Sequence, residues 1–407
     1  MKHRILFYSH DTFGLGHFRR SLTIASYLTR HLRDVSVLML TGLDTPASFE
    51  QPAGVDFVKL PAIWKAGPDQ YRSRHLRVSF NRVRRIRRNL IRTVTRAFDP
   101  ALMVVDNVPR GAGGELLPTL RFLREQRPHT PVVLTLRDVL DSPENIVPKW
   151  REQGVYDVLK EFYQEIWVTG CQPVFDPIAL YELPCSVAAK VKFCGYVVRS
   201  STPTDAENLE REFRLQHAPL VVASCGGGGD GYRLMQTYVN AMETVDRKGL
   251  RSAVFLGPDM PPIERQELKR RLLPMSDRFM TFDFRADLVA FVQASSACVC
   301  MGGYNTVCEL VALRKPAVVV PRTYPRLEQL LRANALADLG LLRVLQPEQL
   351  TPENLRAALL QLLDRVPHLS PLPAGVDFAG LTRITRRVRK LLALNGAASG
   401  HRPASTR

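Results

Sequence analysis

No apolar run in this 407-residue chain approaches the ~20 residues that cross a bilayer, and Ile5-Leu6-Phe7-Tyr8 is too short for the core of a secretion signal. A cytoplasmic protein is expected, peripheral at most to the inner face of the membrane. The seven cysteines, at 171, 185, 194, 225, 298, 300 and 308, are odd in number and contain no C-x-x-C pair. Most lie in apolar runs, so they read as small core residues in a reducing compartment rather than as disulfides or metal ligands. No D-x-D cluster stands in a suitable turn, and neither a metal nor a cofactor is expected. Acidic residues are missing altogether from 72 to 96, where ten arginines fall.

Within that stretch Val83, Ile86, Leu90, Val94 and Ala97 recur at helical spacing, which leaves Arg84, Arg85, Arg88 and Arg92 for other faces. Two readings stay open: a solvated surface helix, or a patch that meets an anionic membrane or an acidic acceptor. The formal net charge of +17 favours anionic partners such as nucleotide sugars or acidic head groups; nucleic acid is not expected. The length suits two domains, each with its own core.

The most informative stretch runs from Met301 to Gly340. The apolar run Ala297 to Cys300 reads as a buried strand, Gly302-Gly303 as a turn open to close approach, and Tyr304-Asn305-Thr306 as the start of a helix. The first-turn N–H groups of that helix lack intrahelical partners, so a diphosphate fits on Gly303, Tyr304, Asn305 and Thr306. Glu309 follows about 5 Å along the axis, placed to accept hydrogen bonds from ribose hydroxyls. Gly-Gly-x-x-Thr-x-x-Glu, then Pro-x-x-x-Pro, Glu328-Gln329, Asn334-Ala335 and Gly340, resembles the donor-binding half of GT-B glycosyltransferases. The likeness is strongest to glycosyltransferase family 28.

At the start of the chain a strand over residues 4–8, a glycine-rich turn and a helix to about Arg30 open a Rossmann-like unit. The G-x-G-x-x-G dinucleotide pattern is not met. Gly14-x-Gly16-His17 instead resembles the glycine-histidine loop of family 28, which implies that Gly14 and Gly16 lie on the acceptor side and that His17 is the leading catalytic candidate, a general base alongside Asp106; a purely structural, helix-capping His17 is the alternative. The strand Ala101 to Val105 ends in Asp106, a candidate to orient or deprotonate an acceptor hydroxyl, followed by Arg110 as a candidate for an acceptor anion. Glu115 reads equally well as a first-turn residue favoured by the helix dipole. Arg137-Asp138 reads as an internal ion pair.

The resemblance further assigns Arg199 to the donor diphosphate and the backbone of the loop containing Phe284 and Arg285 to the nucleotide base. Four glycines, Gly226, Gly227, Gly228 and Gly229, at a strand-to-helix turn point to close approach of backbone to phosphate or sugar, with Asp230 as a sugar-hydroxyl acceptor. Family 28 has a Gly-Gly-Ser-Gln-like sequence here, and the departure bears on the donor sugar. The implied fold is α/β of GT-B type, two Rossmann-like domains facing across a cleft: residues 1–199, residues 200–370, a helix over 371–395 crossing back, and a disordered tail 396–407. The implied reaction moves a sugar from a nucleotide diphosphate donor, UDP-linked, to an acceptor hydroxyl with inversion and without metal. The rivals are a GT-B-fold nucleotide-sugar epimerase or hydrolase, and a non-catalytic basic anion-binding protein.

Overall fold

Short apolar runs, each closed by a polar or glycine-bearing turn and followed by a helix, build two parallel sheets. The computed structural model describes residues 3–11, 16–43, 51–67, 70–199, 203–213, 215, 218–245, 247–364 and 372–399. Two units result: residues 1–197 with 377–407, and residues 198–376.

Unit 1 holds β1 (His3–Tyr8), β2 (Val35–Thr41), β3 (Val55–Lys59), β4 (Ile63–Gly67), β5 (Gln70–Ser73), β6 (Leu102–Asp106), β7 (Val132–Arg137), β8 (Glu165–Thr169) and β9 (Val191–Phe193). Seven of them form a parallel sheet in the order β3-β2-β1-β6-β7-β8-β9. Helices cover its faces, which is why β6 and β8 are buried along their whole length rather than alternating. β4 and β5 make a separate antiparallel hairpin that the sequence did not announce.

Unit 2 holds β10 (Leu220–Ser224), β11 (Arg251–Phe255), β12 (Phe279–Phe282), β13 (Ala297–Cys300), β14 (Ala317–Val319) and β15 (Arg343–Val344), all parallel, in the order β12-β11-β10-β13-β14-β15. In both sheets the order reverses beside the first strand, between β1 and β6 and between β10 and β13. Ligands of open α/β sheets gather at the carboxyl ends of strands at such a reversal.

The last helix, Gly380–Ser399, belongs to unit 1. Its Ile384, Val388, Leu391 and Leu392 join Phe18, Leu22 and Leu28 of the helix Gly16–His31 and Trp167 of β8 in one core. Arg387 adds an ion pair to Glu165, whose carboxylate also accepts from the Trp167 indole. The two chain crossings are stitched together on the unit 1 side, where Tyr196 N donates to Asp377 O (3.0 Å) and Gly380 N to Tyr196 O (3.2 Å). This helix runs through Ser399, so residues 396–399 of the expected tail are helical. Residues 400–407 lie outside the described residues.

The arginine-rich helix, Phe80–Phe98, differs from expectation in its buried face. That face is Val83, Arg87, Ile91 and Thr95, while Ile86, Leu90 and Ala97 of the expected apolar stripe are exposed. Arg87 causes the rotation: its guanidinium donates from Nε (2.8 Å) and Nη2 (2.6 Å) to the fully buried Glu115, which also accepts from Tyr8 Oη (2.7 Å). A paired, hydrogen-bonded arginine can occupy a core position that an unpaired one cannot. Glu115 is therefore a core anchor, and the dipole reading of it is set aside.

Candidate functional site

The reversal point of unit 1 carries a charged cluster. β1 ends at Tyr8 and leads into Ser9, His10 and Asp11, all buried. Ser9 and Thr41 donate their hydroxyls to Asp11, whose carboxyl is pushed up by burial against those hydrogen bonds. Residues 12–15, Gly14 among them, lie outside the described residues; Gly16 opens the helix Gly16–His31.

One turn of that helix aims two side chains at the end of the neighbouring strand. His17 Nδ1 meets Asp106 Oδ2 at 2.7 Å, and Arg20 Nη2 donates to Asp106 Oδ1 at 2.5 Å. The i, i+3 spacing puts His17 and Arg20 on one helix face, and β6 lies directly beside β1 in the sheet, so residues 86 positions apart converge. Burial alone would raise the Asp106 carboxyl, but the Arg20 guanidinium and then His17 outweigh it and hold it well below the usual carboxylate range. Burial holds the His17 imidazole below its ordinary value against the pull of Asp106, and Arg137 and Arg20 add to the lowering.

These directions divide the labour between the two candidate bases. Asp106 is 1% exposed, has both oxygens engaged and is held in its ionised form, an arrangement suited to orienting a neighbouring group. His17 is neutral near pH 7, and with Nδ1 committed to Asp106 its Nε2 is the ring atom with a lone pair to offer. Arg110, expected to meet an acceptor anion, instead donates Nη1 to the carbonyl of Gln153 at 2.6 Å and ties two loops of unit 1 together.

The reversal point of unit 2 joins two glycine turns. The helix Tyr304–Ala312 starts from Gly303, which caps it without a side chain, and a Cβ built on Gly303 meets nothing within 4 Å. Its partner Gly302 is wedged against Gln329, where a Cβ would approach to 3.0 Å. Open space thus lies directly before the positive end of the helix dipole, as anion binding requires. The Tyr304 ring packs under the fully buried Arg332 (5.4 Å to the guanidinium carbon), so at this position only the backbone is available to a ligand.

Arg199 was expected to close the first domain, yet it belongs to unit 2, because its guanidinium is held there. Nε donates to Glu309 Oε1 at 2.9 Å and Nη1 to Ala286 O at 3.1 Å, while Nη2 is buried with no hydrogen-bond partner among the described residues. Glu309 is 3% exposed and not at an open helix end. Glu309→Ala should therefore do two things: lower stability by roughly 1–3 kcal/mol in a denaturant titration, since a half-buried guanidinium loses its buried acceptor, and weaken nucleotide binding by calorimetry. Unchanged values of both would remove this pair from the site.

Part of the four-glycine turn is required by packing. A Cβ on Gly228 (φ +91°) would come within 2.2 Å of Leu256 O, and one on Gly257 (φ +86°) within 2.4 Å of Gly227 O. Two backbones cross there, so packing by itself already requires glycine at 228. Gly226 (φ +68°) faces open space and remains available to a ligand, while Gly227 and Gly229 lie against Asp259. Asp230 pairs with Arg322 at 3.4 Å, and the same guanidinium reaches Glu328 at 3.4 Å; Arg322 N also donates to Gln329 Oε1 at 3.1 Å. Asp230, Glu328 and Gln329 are thereby linked into one network through an arginine the sequence reading passed over. Arg285 turns inward, bidentate on Asp287 and over the rings of Phe213, Phe282 and Phe291, so its side chain is not a base reader; Phe284 beside it is exposed. Arg20, Arg87 and Arg332 were missed for a common reason, since a charged residue in a basic chain reads as surface until its buried partner is known.

Residues 256–373 match the glycosyltransferase family 28 C-terminal domain. The helix Tyr304–Ala312, Arg322 and Glu328 fall within that span. The chain is a family-28-like GT-B protein. Among curated sequences it is similar to the UDP-N-acetylglucosamine–N-acetylmuramyl-(pentapeptide) pyrophosphoryl-undecaprenol N-acetylglucosamine transferase of Methylorubrum populi, 29% identical over 176 residues, or 42% of this chain and 47% of that enzyme. The chain thus spans about half the length of this relative. Its fold is shared with Acinetobacter baumannii MurG (TM-score 0.58, 12% identity, 96% of this chain and 100% of that one). Medicago truncatula UGT71G1, solved with UDP-glucose, shares it as well (TM-score 0.61, 10% identity, 96% and 98% covered). The GT-B fold expected for this family-28-like chain from the 301–340 stretch is established by these matches.

Proposed function

We propose that this family-28-like protein transfers a sugar from a UDP-linked donor to an acceptor hydroxyl with inversion, without a metal. The carrying observation is the His17–Asp106 pair at the reversal point of unit 1. It is supported by the open helix N-terminus at Gly303 in a domain of the family 28 type. His17 Nε2 takes the proton as the acceptor oxygen attacks the anomeric carbon, Asp106 stabilises the imidazolium that forms, and the bond from that carbon to the diphosphate breaks. The nucleoside diphosphate leaves with the electron pair, its charge met by the Arg199 guanidinium and by the first-turn N–H groups of Tyr304, Asn305 and Thr306. Glu309, already bonded to Arg199, keeps its second oxygen for a ribose hydroxyl.

Radiolabelled UDP-sugars incubated with and without candidate acceptors test this reading. Label should move to an acceptor; label released to water or returned as a different UDP-sugar would mark a hydrolase or an epimerase instead.

The acceptor is proposed to be lipid-linked and met at an anionic membrane surface. No helix among the described residues is long and apolar enough to cross a membrane. The support is the exposed set Trp64, Leu76, Val78, Ile86 and Leu90 on and beside the arginine-rich helix, since apolar side chains among arginines suit a charged lipid interface. Arg84 is partly committed, donating to Gly113 O at 3.0 Å, so the informative reversal is Arg82, Arg85 and Arg88 to Glu. That variant should lose sedimentation with acidic liposomes and keep activity on a soluble acceptor. Equal liposome binding by variant and parent would return the helix to a solvated surface.

A further inference from the structure

Arg20 is a charged side chain for which the His17–Asp106 pair alone gives no reason. It is 2% exposed, among the largest fully buried side chains of the described residues, and it makes an ion pair to the Asp106 oxygen that His17 does not use. A buried carboxylate with a single imidazole partner has two ways to lose its charge penalty: it takes up a proton, or it draws one onto the imidazole. Either outcome would spoil a base, because a protonated carboxyl no longer orients the ring and an imidazolium has no lone pair.

We propose that Arg20 is a positioning residue for the His17–Asp106 pair: it keeps the carboxylate turned toward His17 and cancels its charge, so the imidazole stays neutral where it meets the acceptor. This rests on the glycosyl-transfer reading for its purpose, though not for its physics. The groups around His17 fit the assignment from each side. Asp106 comes from β6, Arg137 from the end of β7, and Asp11 from the turn after β1. The His10 ring stands edge-on 6.2 Å away, and Arg20 lies one turn along the same helix. Asp11 is itself pushed toward its neutral form by burial, which leaves Asp106 as the firm negative charge beside the ring and Arg20 as the cation bonded to it.

The decisive readout is the titration of the His17 ring protons by NMR in the full-length chain, which needs no substrate; failure of the transfer reading therefore leaves it intact. In the parent the midpoint should lie below about 6.5. Arg20→Gln should raise it by about one to three units, the range for one adjacent charge, and Arg20→Lys should restore it. Should Arg20→Gln not fold, the comparison of Asp106→Asn with the double variant Arg20→Gln/Asp106→Asn decides. Asp106→Asn leaves a bare cation and should lower the midpoint, whereas the double variant should return it upward. A merely structural Arg20 would make the double variant titrate with Asp106→Asn, and that result, or an unmoved midpoint in a folded Arg20→Gln, overturns the proposal. If transfer is also correct, the acid limb of kcat/KM should move with the ring midpoint in the Arg20 variants.

Discussion

His17→Ala is expected to lower kcat by about 10²–10⁴ while donor affinity stays near the parent value, the range for loss of a general base. The binding part of the expectation follows from location: His17 belongs to unit 1, whereas the groups proposed for the donor, Arg199, Gly303 and Glu309, all belong to unit 2. The kinetic part follows from Asp106, whose carboxylate is held ionised and engaged on both oxygens and is therefore a weak base. The pH dependence has a definite sign. The neutral ring is the active form and burial lowers its proton affinity, so kcat/KM should hold as the pH falls through about 6.5 and decline only below it. The same lowering means that His17 contributes stability in full above about pH 6.5, a contribution lost as the pH falls through its folded value. Near-parent kcat in a folded His17→Ala would return His17 to a structural cap.

Gly303→Val should abolish donor binding with the fold intact. Gly303 has φ −62° and ψ 136°, ordinary extended backbone that valine adopts without strain, and the site of its Cβ is empty. The new methyl groups would fill the space in front of the helix Tyr304–Ala312, where a diphosphate must sit to reach the first-turn N–H groups. An unchanged melting temperature with loss of nucleotide binding is the expected pair of results. Gly228→Val offers no such separation. Its Cβ would strike the Leu256 carbonyl, so lost binding there would accompany a damaged turn. Retained binding in Gly303→Val would move the diphosphate away from this helix.

What could be read without coordinates was local. The 301–340 stretch carries its strand, turn, helix and Glu309 within one continuous segment, and short-range spacing in a parallel α/β fold translates directly into geometry. His17 was legible at the start of a helix and Asp106 at the end of a strand. Their pairing required knowing that β1 and β6 are neighbours, which the intervening helix and hairpin obscure. The arginines were the main failure. Arg20 and Arg87 behave as core residues because Asp106 and Glu115 are buried opposite them, and no pattern in the sequence links positions 86 and 28 residues apart. Glycine misled in the opposite direction: at Gly228 the need is for a second backbone, Leu256 to Gly257, a reason that only the fold reveals.

The central claim is a nucleotide diphosphate site on unit 2 built on Gly303 and Arg199, and calorimetric titration of UDP into the full chain tests it most directly. Saturable binding of one UDP per chain is expected, lost in Gly303→Val and kept in His17→Ala. Absence of binding in the parent, or equal binding in parent and Gly303→Val, would contradict it.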